Sequence, residues 1–168
     1  MDTGTSAEII RTNVIDWLET RGVAYRPHRH VPVRNAREAA AAGLDFDPAL
    51  LIKTLAYRTP SGWLLAAMRA LDRVDHGALA KAAAIERRKL RFADDRELES
   101  AFGWEAGGAA PIPLVEGTIV LVDEAVLRLP VIYFGGGRRD LTIEAQPQAL
   151  FSELRYTAAA FARSVPAS

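Results

Sequence analysis

Two apolar runs, residues 50–58 and 63–69, are separated only by Thr59-Pro60-Ser61-Gly62. Pro and Gly in so short a link mark a tight turn, and a tight turn joins antiparallel strands. Further strands are expected over residues 23–29, 89–92, 118–123, 131–134 and 141–143, with a glycine turn, Gly135-Gly136-Gly137, before the last. Helix starts are marked between them. Thr5-Ser6-Ala7-Glu8 reads as a capping box, and Ile10, Val14, Trp17 and Leu18 then recur on one helical face until Gly22. Asn35-Ala36-Arg37-Glu38 repeats the cap pattern in a helix ending at Gly43, and Asp47-Pro48 opens a single turn. Asp75 caps a helix to Ala84, Asp94 one to Gly103, and Pro147 opens one to about Leu154. The alanine-rich stretch 157–163 is expected as a final helix.

Strands and helices do not alternate strictly, and no early strand ends in G-x-G-x-x-G, which disfavours a doubly wound parallel sheet. The expected class is α+β: one domain over residues 1–168, with a curved, mostly antiparallel mixed sheet surrounded by helices. With 49% hydrophobic residues, the chain has the material for a core.

Composition narrows the chemistry. Lys plus Arg and Asp plus Glu each number 21, so bulk positive charge does not hold this chain to nucleic acid, and no DNA partner is expected. Without cysteine there is no disulfide, thiolate metal site or thiol nucleophile. His28 and His30 share a strand face, but His76 lies on another segment, so no metal or other cofactor is expected. No run approaches a membrane span, and the first residues lack a basic start with an apolar stretch. A soluble, cytoplasmic protein without a membrane partner is expected.

Four features can carry chemistry. Lys53 stands in the otherwise apolar run Leu50–Tyr57. It is either a cation set beside a substrate carbonyl or phosphate, or an edge lysine reaching out to water. The segment Gly103-Trp104-Glu105-Ala106-Gly107-Gly108-Ala109-Ala110-Pro111-Ile112-Pro113 holds paired glycines. Such a loop can approach a ligand closely and turn its amides on developing negative charge, or it can simply connect two elements. Gly135-Gly136-Gly137-Arg138-Arg139-Asp140 is a phosphate-facing hairpin or a solvated turn. The basic cluster Arg87-Arg88-Lys89-Leu90-Arg91 is a backbone contact for nucleic acid or a solvated face. Motifs for a serine hydrolase elbow, a zinc protease helix or a phosphate-binding P-loop are absent.

In order, Ile52-Lys53-Thr54-Leu55, Leu71-Asp72-Arg73-Val74-Asp75, Phe92-Ala93-Asp94, the glycine loop from Gly103 to Pro111, Val122-Asp123 and Ile132–Gly137 resemble the YbaK/ProX family. Its members are free-standing aminoacyl-tRNA deacylases related to the editing insertion of bacterial prolyl-tRNA synthetases. The resemblance covers about residues 14–154. It implies a mixed domain around a curved sheet, and hydrolysis of the ester joining a mischarged amino acid to the 3′-terminal adenosine of tRNA. It implies Lys53, Gly107 and Gly108 as catalytic groups. His30, Ala109, Ala110, Pro111, Gly136 and Thr142 are implied as substrate-binding. The acceptor end of an aminoacyl-tRNA is the implied partner, with a synthetase as a further candidate.

Three positions depart from the family pattern. Pro113 stands where the loop often ends in glycine, which removes an amide and a flexible residue. Thr142 replaces an acidic residue of relatives with cysteinyl-tRNA activity, and His30 aligns with their tyrosine. The expected mechanism places the Gly107 and Gly108 amides on the carbonyl oxygen and Lys53 on the carbonyl or terminal phosphate. A water oriented by the substrate 2′-hydroxyl attacks. An inactive module of the same fold that binds a tRNA end or a synthetase, and a hydrolase of another small ester, are the alternatives.

Overall fold

The computed structural model describes residues 11–165. The cap expected at Thr5–Glu8, the apolar position Ile10 and the last three residues lie outside the described residues. Within them, Thr12 caps the first helix by accepting a bond from the Ile15 N–H. The helices are α1 (Asn13–Thr20), α2 (Ala36–Ala41), α3 (His76–Ala83), α4 (Asp95–Phe102), α5 (Glu124–Leu127) and α6 (Pro147–Phe151). The first strands are β1 (Arg26–Arg29), β2 (Ile52–Thr59), β3 (Gly62–Arg69), β4 (Arg73–Val74) and β5 (Arg91–Phe92). They are followed by β6 (Ile119–Asp123), β7 (Ile132–Gly135), β8 (Leu141–Ala145), β9 (Thr157–Ala159) and β10 (Ala162–Arg163).

The expected hairpin is the centre of the molecule. β2 and β3 pair antiparallel from Ile52 opposite Arg69 to Thr59 opposite Gly62. β3 then takes β6 in parallel, and β6 takes β9 in parallel. β5 pairs with β2 at Tyr57 and Arg58, and the Ala93 N–H adds a bond to the Ala56 carbonyl at 3.0 Å, so the outer edge of β2 is left open over its first four residues. A second, antiparallel sheet runs β1-β8-β7, and a single bridge between Leu51 and Tyr133 links it to the first. A short ladder joins β4 and β10. The result is α+β with mixed sheets, as the sequence implies.

Alternation along β3 buries both of its faces. Leu65 and Ala67 face the main core with Trp17, Phe102, Trp104 and Val122; Leu64, Ala66 and Met68 face a second core with Tyr57, Leu79 and Phe161. The caps expected at Asn35, Asp47, Asp75 and Asp94 all form, with a full capping box at Asp94 and Glu97. The basic run 87–89 is a 3-10 turn preceding β5, which is shorter than expected.

The expected helix over residues 157–163 is not one: the segment forms β9 and β10. Alanine favours helix only weakly, and tertiary contacts override it here. The Asp123 carboxylate accepts from the N–H groups of Phe161 and Ala162, both at 3.0 Å, while the Phe161 ring is buried. A helix would consume those amides and withdraw the partner from the β6 edge.

Candidate active site

The open edge of β2 is one wall of a cavity of about 830 Å³. Its lining includes Lys53, Thr54 and Leu55 from β2, Gly107 and Ala109 from the glycine loop, and Tyr133, Gly135 and Thr142 from the second sheet. Phe46, Leu71 and Phe92 stand around it.

Lys53 occupies this wall half-buried. Its Nζ donates to the Asp72 carbonyl at 2.7 Å. That carbonyl belongs to a fixed turn, because the Asp72 carboxylate is buried and receives two bonds from Arg69, at 2.8 and 3.2 Å. One of the three ammonium protons is therefore committed, and the amine is held rather than free to wander into solvent. Burial pushes the Lys53 ammonium below its ordinary value of 10.5; the Asp72 charge opposes this and Arg73 adds to it.

The glycine loop is laid directly on the β7–β8 hairpin. Trp104 anchors its start: the indole is fully buried, stacks on Phe102 at 4.5 Å and donates to Asn13 Oδ1 at 3.0 Å. Glu105 N–H donates to the Gly137 carbonyl at 3.1 Å, and Gly137 N–H donates to the Gly108 carbonyl at 2.8 Å. Arg139 adds an ion pair to Glu105 at 3.2 Å. Two backbones meet here with no room for a side chain. A Cβ on Gly108 would come within 2.6 Å of Arg138 N, and one on Gly135 within 2.6 Å of the Ala109 carbonyl oxygen. Gly107 adopts φ +84°, and a Cβ there would meet Arg34 Cα at 2.7 Å. These contacts explain why the sequence needs glycine at these three positions.

The site residues divide. Lys53, Gly107, Ala109 and Thr142 line the cavity. Gly108 does not: its N–H donates to the Glu105 carbonyl at 2.9 Å. The expectation that the Gly108 amide serves an oxyanion is therefore corrected; a tight turn consumes it. Among the described residues, the Gly107 and Ala109 N–H groups have no backbone acceptor. Ala110 and Pro111 are buried behind the loop, and Pro111 has no N–H to offer. Gly136 closes the hairpin through its N–H to the Leu141 carbonyl at 3.0 Å. These three support the loop and lie outside the cavity lining. His30 stands behind Thr142, with Nε2 at 2.8 Å from its hydroxyl oxygen. His28 shares that face, as expected, and meets Glu144 at 2.8 Å.

Several residues escaped the sequence reading. Thr54 Oγ1 is buried at the cavity with no partner among the described residues. Its signal was its place beside Lys53, one residue onto the other strand face. Arg34 and Arg37 line the mouth, are exposed and form no ion pair among the described residues. By contrast, two of the arginines singled out for phosphate are engaged, Arg138 with Asp140 at 2.9 Å and Arg88 with Glu86 at 2.9 Å, while Arg87 forms no ion pair among the described residues. Phe92 is 52% exposed at the rim with one face stacked on Tyr57 at 4.6 Å. Among the described residues no cluster of three His, Asp or Glu fits a metal, and no helix is long and apolar enough to cross a membrane.

Comparison with known proteins bears on the fold and the family. An Enterococcus faecalis protein provisionally named Cys-tRNA(Pro)/Cys-tRNA(Cys) deacylase EbsC is 24% identical over 145 residues, which are 84% of this chain and 87% of that protein. The crystal structure of the hypothetical protein APE2540 superposes with a TM-score of 0.78 at 25% identity, covering 90% of this chain and all of the other. A structure described provisionally as a trans-editing enzyme for prolyl-tRNA synthetase superposes at 0.77 and 22% identity, covering 90% and 96%, and shares the fold. The family model described as the aminoacyl-tRNA editing domain matches residues 30–152, most of the chain. The chain belongs to the aminoacyl-tRNA editing-domain family, the YbaK group of tRNA deacylases.

Proposed function

We propose that this protein hydrolyses the ester of a mischarged aminoacyl-tRNA in trans, releasing the free amino acid and the tRNA. The observation that carries the reading is one cavity that holds both an anchored lysine and unpaired loop amides. In the proposed geometry the ester carbonyl oxygen points at the Gly107 and Ala109 N–H groups, which favour the charge it gains in the tetrahedral state. Lys53 adds positive charge to the same oxygen or to the terminal phosphate, in surroundings where burial strengthens electrostatic attraction. Water adds to the carbonyl carbon, the bond to the ribose 3′-oxygen breaks, and that oxygen leaves with a proton. The cavity lining offers no thiol or imidazole, and its one carboxylate is Asp95, exposed in the first turn of α4. The substrate's 2′-hydroxyl is therefore the group assigned to orient the water.

The rim fits the rest of an acceptor end. Arg34 and Arg37 are free to meet phosphates, and the outer face of Phe92 is free to stack a base. A net charge of zero limits this contact to the terminus of the tRNA.

A deacylation screen over a panel of mischarged tRNAs, run beside short aminoacyl esters, tests the proposal. Turnover of a subset of the tRNAs with little on the short esters is expected. Equal turnover of both makes the protein a small-ester hydrolase, and no turnover on any ester overturns the proposal.

A further inference from the structure

Thr142 is the one hydroxyl in the cavity lining with a directly bonded imidazole, and that bond fixes which way its proton points. His30 Nδ1 lies 2.6 Å from the Val31 carbonyl oxygen. A carbonyl oxygen only accepts, so Nδ1 carries the proton. In the neutral ring Nε2 is then bare and can only accept. It lies 2.8 Å from Thr142 Oγ1, so the Thr142 O–H must donate to it. His30 is hydrogen-bonded to no carboxylate among the described residues, whereas its neighbour His28 meets Glu144. The Phe46 ring, edge-on to His30 at 5.8 Å, helps hold the imidazole in place.

We infer that His30 fixes the Thr142 hydroxyl as a pure acceptor, whose lone pairs select an aminoacyl group able to donate a hydrogen bond there. This rests on the deacylase reading and deepens it. The hydroxyl proton is committed backwards, away from the cavity that Thr142 lines. What remains toward the cavity is oxygen lone-pair density, without the net charge of a carboxylate. Two donors on an aminoacyl group can meet it, the α-ammonium or a side-chain hydroxyl. His30 is a positioning residue: it acts through Thr142 and does not itself line the cavity.

Two measurements test this on the full chain. The first is the nitrogen-15 NMR spectrum of the histidine side chains, with Thr142→Val for assignment. The expected pattern for His30 is the Nδ1-protonated tautomer with Nε2 accepting, and a shift of that Nε2 resonance in Thr142→Val. A Nε2-protonated His30 in the wild type overturns the inference. This measurement needs no turnover, so it fails or stands independently of the deacylase reading.

The second is binding of non-hydrolysable adenosine 3′-amides carrying alanyl, seryl or propionyl groups. A hydrogen bond to a charged or polar donor supports a loss of about tenfold in affinity on Thr142→Val. A loss for alanyl and seryl but not propionyl identifies the α-ammonium. A loss for seryl alone identifies the side-chain hydroxyl. Equal affinities in wild type and Thr142→Val for all three, or an equal loss that includes propionyl, overturn the inference. His30→Phe, which leaves the Thr142 proton free to rotate, reduces the same affinities by less than Thr142→Val and adds nothing to it in the double variant.

Discussion

Replacing Gly135 with alanine probes the loop-on-hairpin contact without touching Lys53. The new methyl carbon would lie 2.6 Å from the Ala109 carbonyl oxygen and 2.6 Å from Gly108 C, both backbone atoms that cannot swing aside. Ordinary contact begins near 3.4 Å, so the loop and hairpin must separate by about 0.8 Å. Overpacking of this kind costs about 1–3 kcal/mol, which for a chain of this size lowers the melting temperature by roughly 2–12 °C. The displaced segment carries the Gly107 and Ala109 amides, and a misplacement of ~1 Å in a positioning group costs on the order of 100-fold in rate. The assay is a thermal melt together with single-turnover deacylation well below the melting temperature. Gly77→Ala is the control, because a Cβ there meets only the Asp75 side chain at 3.4 Å, an ordinary contact. Wild-type melting and wild-type deacylation in Gly135→Ala would refute the claim that these backbones touch and that their contact positions the amides.

Other perturbations separate the remaining claims. Lys53→Met removes an ammonium whose folded value burial holds below 10.5. The charged form is the penalised one, so the wild type is disadvantaged at pH below that lowered value. The disadvantage fades as pH rises through it and is gone above 10.5; the gap between the two denaturation midpoints from pH 7 to 11 should narrow accordingly, and a constant gap contradicts the burial. Arg34→Ala or Arg37→Ala should each reduce the slope of log affinity against log salt for tRNA by about 0.7–0.9, while Arg138→Ala, whose guanidinium is held by Asp140, leaves the slope unchanged. Phe92→Ala should weaken tRNA binding by about 1–3 kcal/mol through loss of base stacking, with the single-turnover deacylation rate at saturating protein unaffected.

What the sequence made legible was local chemistry. Pro60 and Gly62 located the central turn, and four side-chain caps appeared where Asn35, Asp47, Asp75 and Asp94 stand. The period of two placed His28 and His30 on one face. What escaped depends on contacts between distant segments. The parallel pairing of β3 with β6 and β6 with β9 has no signature in either strand alone. Residues 157–163 look helical until the Asp123 carboxylate claims their amides from 38 and 39 positions away. The paired glycines suggested close approach of the loop to a ligand, whereas at Gly108 the close neighbour is the backbone of Gly137 and Arg138 and the amide is spent on Glu105, a detail of turn geometry that composition cannot reveal. Nothing in the sequence singles out Arg34 or Arg37, because only the folded chain brings α2 to the cavity.

The central claim is that the anchored Lys53 ammonium acts on the same ester that the loop amides hold. Single-turnover hydrolysis of a mischarged tRNA by Lys53→Ala, with folding verified by circular dichroism, tests it most directly. Loss of one preorganised electrostatic partner predicts a fall of at least ~100-fold in rate at saturating protein. A folded Lys53→Ala protein that clears the tRNA at the wild-type rate would contradict the account.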